Sequence, residues 1–263
     1  MMAFWQPKRT AVLPVLAAAL AVALAAPAQA QPTAPSAWRV TVGPGFIVGP
    51  RYVGSDDIRV LPIPALDIRR DNLFLNGRDG LGVDLLRDPG GLRAGVAVFA
   101  RFGRKEKDDP VALAGLGDID PVPQLRAFAA HRLGRVRISA QIARDLGGSR
   151  GTTLDLDASA STALSDRVIL SGGPQLSFGD ARFTRAFFGI TATQATAGRR
   201  TPYAVGSGLF QAGVGASLIV KLDDRWSMTA ISSVARLTGA FARSPVVTDR
   251  TQKSGGLFLA YTF

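Results

Sequence analysis

Over residues 210–222 apolar side chains recur at every second position. Phe210, Ala212, Val214, Ala216, Leu218, Val220 and Leu222 share one face, while Gln211, Gly213, Gly215, Ser217 and Lys221 share the other, with Ile219 as the single apolar intruder. A period of two belongs to a β-strand, whose successive side chains point to opposite sides. The length of the run constrains the fold further. Strands in water-soluble sheets cluster near 5–6 residues, whereas crossing a bilayer takes about 9–11 tilted residues.

The same alternation returns along the chain. In 153–164, Leu154, Leu156, Ala158 and Ala160 oppose Asp155, Asp157, Ser159 and Ser161. In 135–142, Val136, Ile138, Ala140 and Ile142 oppose Arg135, Arg137, Ser139 and Gln141. Residues 92–102 place Arg93 and Arg101 opposite Val96 and Val98, and 168–178 and 226–234 are weaker versions. Turn-forming clusters separate the runs: Asn76-Gly77, Asp88-Pro89-Gly90-Gly91, Leu146-Gly147-Gly148-Ser149 and Asp223-Asp224. Two longer connections are expected, a charged one from Gly103 through Pro123 and a second over 196–207. The periodicity therefore predicts an all-β, antiparallel, up-and-down transmembrane barrel of twelve strands, with ten as the fallback, because bacterial barrels close on even numbers.

Both ends of the sequence agree with export to an outer membrane. Lys8 and Arg9 precede an uncharged apolar stretch over 11–26, and Ala28-Gln29-Ala30 forms a small-residue cleavage site. This is the pattern of a cleaved signal peptide over residues 1–30, leaving the barrel at 31–263. The last strand puts Leu257, Leu259, Tyr261 and Phe263 on one face. Tyr261 and Phe263 are expected to act as the signal read by the barrel-assembly machinery. Trp38 and Trp226, with Tyr261 and Phe263, fit an interfacial aromatic girdle.

Composition narrows the chemistry. The formal charge of +11 favours anionic neighbours such as outer-membrane lipid and lipopolysaccharide, and an exported chain is not expected to meet nucleic acid. There is no cysteine and one histidine, His131, so a transition-metal site is not expected. Ser139 and Gln141 are the candidate companions of His131, but no oriented nucleophile elbow accompanies them. The expectation is a non-enzymatic protein without a cofactor. The aspartate pairs Asp56/Asp57, Asp108/Asp109 and Asp223/Asp224 read as solvated turns rather than calcium loops.

Several motifs, in order, resemble the MipA/OmpV family of outer-membrane proteins. Pro50-Arg51-Tyr52-Val53-Gly54-Ser55-Asp56-Asp57 followed by Leu61-Pro62-Ile63-Pro64 is similar to its N-terminal signature. Leu116-Gly117-Asp118-Ile119 is similar to its mid-chain element, and Phe187-Phe188-Gly189-Ile190 to an aromatic strand. Leu237-Thr238 and Ser244-Pro245-Val246-Val247 are similar to its penultimate loop, and Tyr261-Thr262-Phe263 to its ending. At Gln124-Leu125-Arg126-Ala127-Phe128 the chain departs from the family's acidic residue and glycine.

The resemblance implies an outer-membrane scaffold for cell-wall enzymes, a murein lytic transglycosylase and a penicillin-binding synthase. A small anion-preferring pore and a surface adhesin or lipopolysaccharide-contacting protein are the alternatives. Tyr52, Gly54, Asp56, Asp57, Gly117, Asp118, Ser244 and Pro245 are the motif positions expected to shape the loops. Arg135, Arg137, Asp155 and Asp157 all fall on the polar faces of neighbouring runs. With a turn centred on Gly147, Arg137 lies opposite Asp157, so a lumenal ion-pair cluster is expected there.

Overall fold

The computed structural model describes residues 37–263. The expected signal peptide, 1–30, lies outside the described residues. Fourteen strand segments form one sheet: β1 (Arg39–Gly43), β2 (Gly45–Pro50), β3 (Ile58–Pro62), β4 (Ala65–Arg70), β5 (Leu73–Asn76), β6 (Gly80–Arg87), β7 (Leu92–Arg101), β8 (Val122–Leu133), β9 (Val136–Asp145), β10 (Thr152–Ser165), β11 (Val168–Gly179), β12 (Gly208–Lys221), β13 (Trp226–Leu237) and β14 (Thr251–Thr262). Pro44 alone separates β1 from β2, and Ile63-Pro64 separate β3 from β4. Each pair is one bent strand, which gives a closed antiparallel barrel of twelve. Proline lacks the N–H that a ladder needs, so the bends fall where it sits.

The barrel closes through β14. Thr41 and Val42 of β1 pair with Thr262 and Tyr261, and β2 continues the seam from Gly45–Phe258 to Val48–Gly255. At the bend, Leu259 N–H donates to Pro44 O at 2.9 Å. A Cβ on Gly43 would meet Leu259 O at 1.9 Å, so glycine is what lets the bent strand lie this close to its neighbour. Among the described residues no helix is long and apolar enough to cross a membrane; the crossing elements are strands.

The alternation sorts the side chains as a membrane barrel requires. Leu125, Leu133, Ile138, Ile142, Val214 and Val234 are exposed on the outer face. Gln124, Arg126, Ser139, Gln141 and Asp145 share the inner face through the pairs Gln124–Asp145, Phe128–Gln141 and Ala130–Ser139. Leaving the apolar face exposed would be unfavourable in water and is favourable in lipid.

Short turns join the strands at the end where the chain finishes, as at 134–135, 166–167 and 222–225, and longer loops cross the other end at 51–57, 102–121, 180–207 and 238–250. In outer-membrane barrels the short turns are periplasmic and the long loops extracellular.

Two expectations are corrected. Residues 187–190 are not a strand. Phe187 and Phe188 end helix α1 (Ala181–Phe188), and a second helix, α2 (Ala192–Gly198), follows. The connection therefore begins at Asp180 rather than at residue 196. Phe210 also leaves the lipid face assigned by alternation. A register shift between Ser177 and Phe178 pairs Ser177 with Gln211 and Phe178 with Leu209. This β-bulge turns Phe210 inward, where it is buried among Phe183, Phe188 and Phe241.

Candidate functional site

Helix α1 starts because Asp180 accepts hydrogen bonds from the Arg182 and Phe183 amides at 3.0 and 2.8 Å. Its buried face, Phe183, Thr184, Phe187 and Phe188, follows the helical spacing of i, i+1, i+4 and i+5. Thr191 and Gln194 cap α2 reciprocally, and Gln194 Nε2 also donates to Leu116 O at 2.8 Å. The two helices lie over the extracellular mouth and complete two apolar clusters. One joins Phe183, Phe187, Phe188, Val205, Phe210, Leu237 and Phe241; the other joins Tyr52, Leu113, Leu116, Ile190, Ala195 and Val246. Leu113, Phe188 and Val246 are 0% exposed. The mouth is filled by a packed plug.

The family-like motif positions of three loops meet in this plug. Tyr52 Oη lies 3.1 Å from Asp109 Oδ2 and 3.2 Å from Val246 O, bridging the 51–57 loop to the 102–121 and 238–250 loops. Burial pushes the Tyr52 phenol up to about 12. Gly54 has φ +102°, and a Cβ there would meet Val247 Cγ2 at 2.8 Å, so only glycine suits this turn against the last loop. Its amide donates to Gln252 Oε1 at 2.9 Å. Asp56 accepts from Thr248 Oγ1 at 2.8 Å, whereas the Asp57 carboxylate has Arg51 Nε at 3.8 Å. Ser244 Oγ donates to Phe188 O at 2.6 Å, and Pro245 lies between it and the fully buried Val246. Arg104, 2% exposed, donates through Nη1 to Phe187 O at 3.0 Å; burial pulls its guanidinium down to about 10.

Glu106 organises the charged loop. Its carboxylate accepts from the Gly115 and Gly117 amides at 2.8 and 3.0 Å, and its own N–H donates to Asp118 Oδ1 at 2.8 Å. Asp118 is held below the ordinary carboxylate range by that amide and by Lys105; Asp56 is held down by Thr248. A depressed carboxylate adds stability that is fully present above its unfolded value of 3.8 and is lost as pH falls through the lower folded value. The Glu106 amide resonance is therefore expected to shift with a midpoint below 3.8 in an NMR titration; a midpoint at or above that value would contradict the arrangement.

Below the plug the lumen is lined by charged side chains. A cavity of about 240 Å³ is lined by Arg78, Arg93 and Arg137 and by Asp79, Asp155 and Asp157, among others. Arg93 donates from Nε to Asp84 at 2.7 Å and from Nη1 to Asp79 at 3.1 Å, with Phe74 and Phe128 rings 4.8 and 4.6 Å from its guanidinium carbon. Higher up, Arg101 Nε donates to Asp145 Oδ1 at 2.8 Å. Gln124 Nε2 donates to that same oxygen at 2.9 Å, and Arg126 Nη2 donates to Gln124 Oε1 at 3.1 Å.

The expected pairing of Arg137 with Asp157 is corrected. The hairpin centres on Gly148 rather than Gly147, so Asp157 faces Ser139 and Arg137 faces Ser159. Arg135 lies in the tight turn before β9, outside the strand. None of the four predicted residues is among the ion pairs of the described residues; Asp155 instead accepts from Ser177 Oγ at 2.6 Å. Sequence reasoning missed the acids Asp84 and Asp145, although each lies at an inward position of its strand. His131 pairs with Ile138 on the outer face, while Ser139 and Gln141 face the lumen, so the wall separates them.

At the periplasmic end the aromatic ring contacts form a short chain. Trp226 and Tyr261 centroids are 5.1 Å apart, Tyr261 and Phe263 4.8 Å, and Arg225 Nη1 donates to Tyr261 Oη at 2.9 Å.

A family model described as "MltA-interacting protein MipA" matches residues 42–263, from the first strand to the end of the last. The chain belongs to this family. Outer membrane protein OmpV of Vibrio cholerae serotype O1 and outer membrane protein Omp26La of Vibrio anguillarum are each 32% identical over 88 residues. Each match covers 34% of this chain and 34% of the relative, so the chain spans about a third of the curated relatives it matches. Among solved structures, a bacterial polysaccharide outer membrane secretin overlaps 88% of this chain and 100% of its own at 10% identity, with a TM-score of 0.41. That overlap is too loose to add to the family match. This MipA-family chain is an outer-membrane β-barrel.

Proposed function

We propose that this MipA-family barrel is a closed interaction protein, a scaffold that holds cell-wall remodelling enzymes at its periplasmic rim. The observation that carries the reading is the packed plug, with Leu113, Phe188 and Val246 fully buried across the outer mouth. A mouth filled this way suits a protein that works by contact. The family's name refers to an interaction with MltA, which supports a murein lytic transglycosylase as the first partner to test, with a penicillin-binding synthase as the second. Arg135 and Arg167 in adjacent short turns offer cations to an acidic partner surface. Among the described residues the barrel wall separates His131 from Ser139 and Gln141, which supports a non-enzymatic role.

Capture from envelope extract on nanodisc-held barrel is expected to retain a lytic transglycosylase or synthase. The Arg135→Glu/Arg167→Glu variant is expected to retain about tenfold less, the scale of one to two lost charge contacts. Wild-type bait that returns no murein enzyme would refute the scaffold reading. The charged lumenal cavity favours a pore as the second reading. Its cavity lining carries Arg78, Arg93 and Arg137 against Asp79, Asp155 and Asp157, a balance that argues against strong anion preference.

A further inference from the structure

The barrel wall has a notch. β3 has β2 as its single neighbour in the sheet, so its other edge is free. The strands that would cover that edge stop short: β5 holds four residues, and the β5–β6 turn is already reached at the level of Leu66, where Gly77 N–H donates to Leu66 O at 3.1 Å. That turn leans into the lumen. Arg78 O accepts from Arg126 Nη1 at 3.1 Å, and Asp79 accepts from Arg93. On the far side, β6 pairs with β7 only as far as Val98, leaving Phe99, Ala100 and Arg101 bonded to β8 alone. Between β3 and the top of β7 the wall is therefore two strands short.

What borders the notch differs inside and out. Outside, Ile58, Val60, Leu81, Val98 and Phe102 are all exposed. Inside lies a cavity of about 230 Å³ whose lining includes Arg51, Arg59, Lys253, Tyr52 and Phe102 but no carboxylate. Arg59 faces inward opposite Gly49, and its guanidinium makes no hydrogen bond or ion pair among the described residues. Arg51 has Asp57 at 3.8 Å, yet its Nε is buried with no hydrogen-bond partner. A guanidinium left unpaired in a partly dry site is costly unless an anion completes it. Unpaired strand edges are likewise not tolerated against lipid tails, so the notch needs an occupant with a polar end.

We propose that this notch is a lateral binding site for an anionic amphiphile of the outer leaflet. Its phosphate group enters the cavity between Arg59 and Arg51, and its acyl chain lies against Ile58, Val60 and Phe102 at the rim. The proposal is separate from the scaffold reading and does not depend on it.

Native mass spectrometry of the barrel in dodecyl maltoside tests it, with dodecyl phosphate as probe and inorganic phosphate as the headgroup-only control. One saturable dodecyl phosphate per barrel is expected, with inorganic phosphate retained at least tenfold more weakly. Arg59→Gln and Arg51→Gln are each expected to weaken retention about tenfold, the scale of one charge-assisted hydrogen bond. Phe102→Asp is expected to weaken it as well, while Arg144→Gln, on the outer face of β9, leaves it unchanged. Heat-modifiable migration on gels reads folding of each variant, and Arg59, having no partner to lose, is the substitution least able to disturb it. Equal retention by the Arg59→Gln and Arg51→Gln variants would overturn the site. Equal retention of inorganic phosphate would make it a free-anion pocket, and indifference to Phe102→Asp would remove the lateral route.

Discussion

In planar bilayers the wild-type barrel is expected to give a flat baseline, and replacing residues 181–205 with a short glycine-serine linker to give discrete conductance steps. The replaced segment supplies Phe183, Phe187, Phe188 and Val205 to one apolar cluster and Ile190 and Ala195 to the other. Its removal leaves each cluster without the side chains at its centre. The wall strands do not depend on this segment for their pairing, since β11 and β12 are bonded along their whole length. A gentler version is Phe188→Ala, expected to cost about 3–5 kcal/mol of plug stability and to produce brief flickering openings. Wild-type steps would refute the plug as a barrier. A silent linker variant would place the barrier lower, where Arg93 is held between Phe74 and Phe128.

Arg101→Met is expected to be the most destabilising single change in the wall. Asp145 has a side chain only 1% exposed, and Arg101 is its ion-pair partner. Gln124 and Ser149 also donate to that carboxylate, at 2.9 and 3.3 Å, but neither brings charge. Removing one member of a buried pair strands the other in a poor solvent, typically about 3–5 kcal/mol. Arg101 also lies 4.6 Å from the centre of the Phe183 ring, so its loss removes one of the contacts between the wall and the plug. Thermal unfolding in detergent, followed by gel migration, should show a markedly lower midpoint for Arg101→Met. The double change Arg101→Met/Asp145→Asn should recover part of the loss, because no charge is then stranded. A single variant as stable as wild type would show that the neutral donors suffice.

The wall of this MipA-family barrel was legible in the sequence because one face meets lipid and the other water, and a period of two records that contrast directly. The runs at 92–102, 153–164 and 210–222 correspond to β7, β10 and β12. What alternation does not carry is register. Moving a hairpin's centre by one residue, from Gly147 to Gly148, moves each cross-strand partner by two and keeps every side chain on its face. Arg137 and Asp157 therefore stayed lumenal while losing each other.

The plug was harder to read. Its helices are 8 and 7 residues long, too short for a helical period to stand out. The usable signals were the caps, Asp180 before α1 and Thr191 with Gln194 opening α2. The motif positions Tyr52, Gly54, Asp56, Gly117, Asp118 and Ser244 were visible as a set. Their meeting at the mouth depends on contacts such as Tyr52 to Val246, 194 positions apart, which local patterning cannot express.

The shortness of β5 and β6, four and eight residues against 10–14 in β7 to β14, also sets the height of the apolar belt around the circumference. Hydrophobic mismatch is then confined to one sector, and lipids adapt by thinning there or by letting the whole cylinder tilt. The molecule consequently has a front and a back in the plane of the membrane. Its orientation relative to the surrounding lipid is thereby fixed by the short side of the wall.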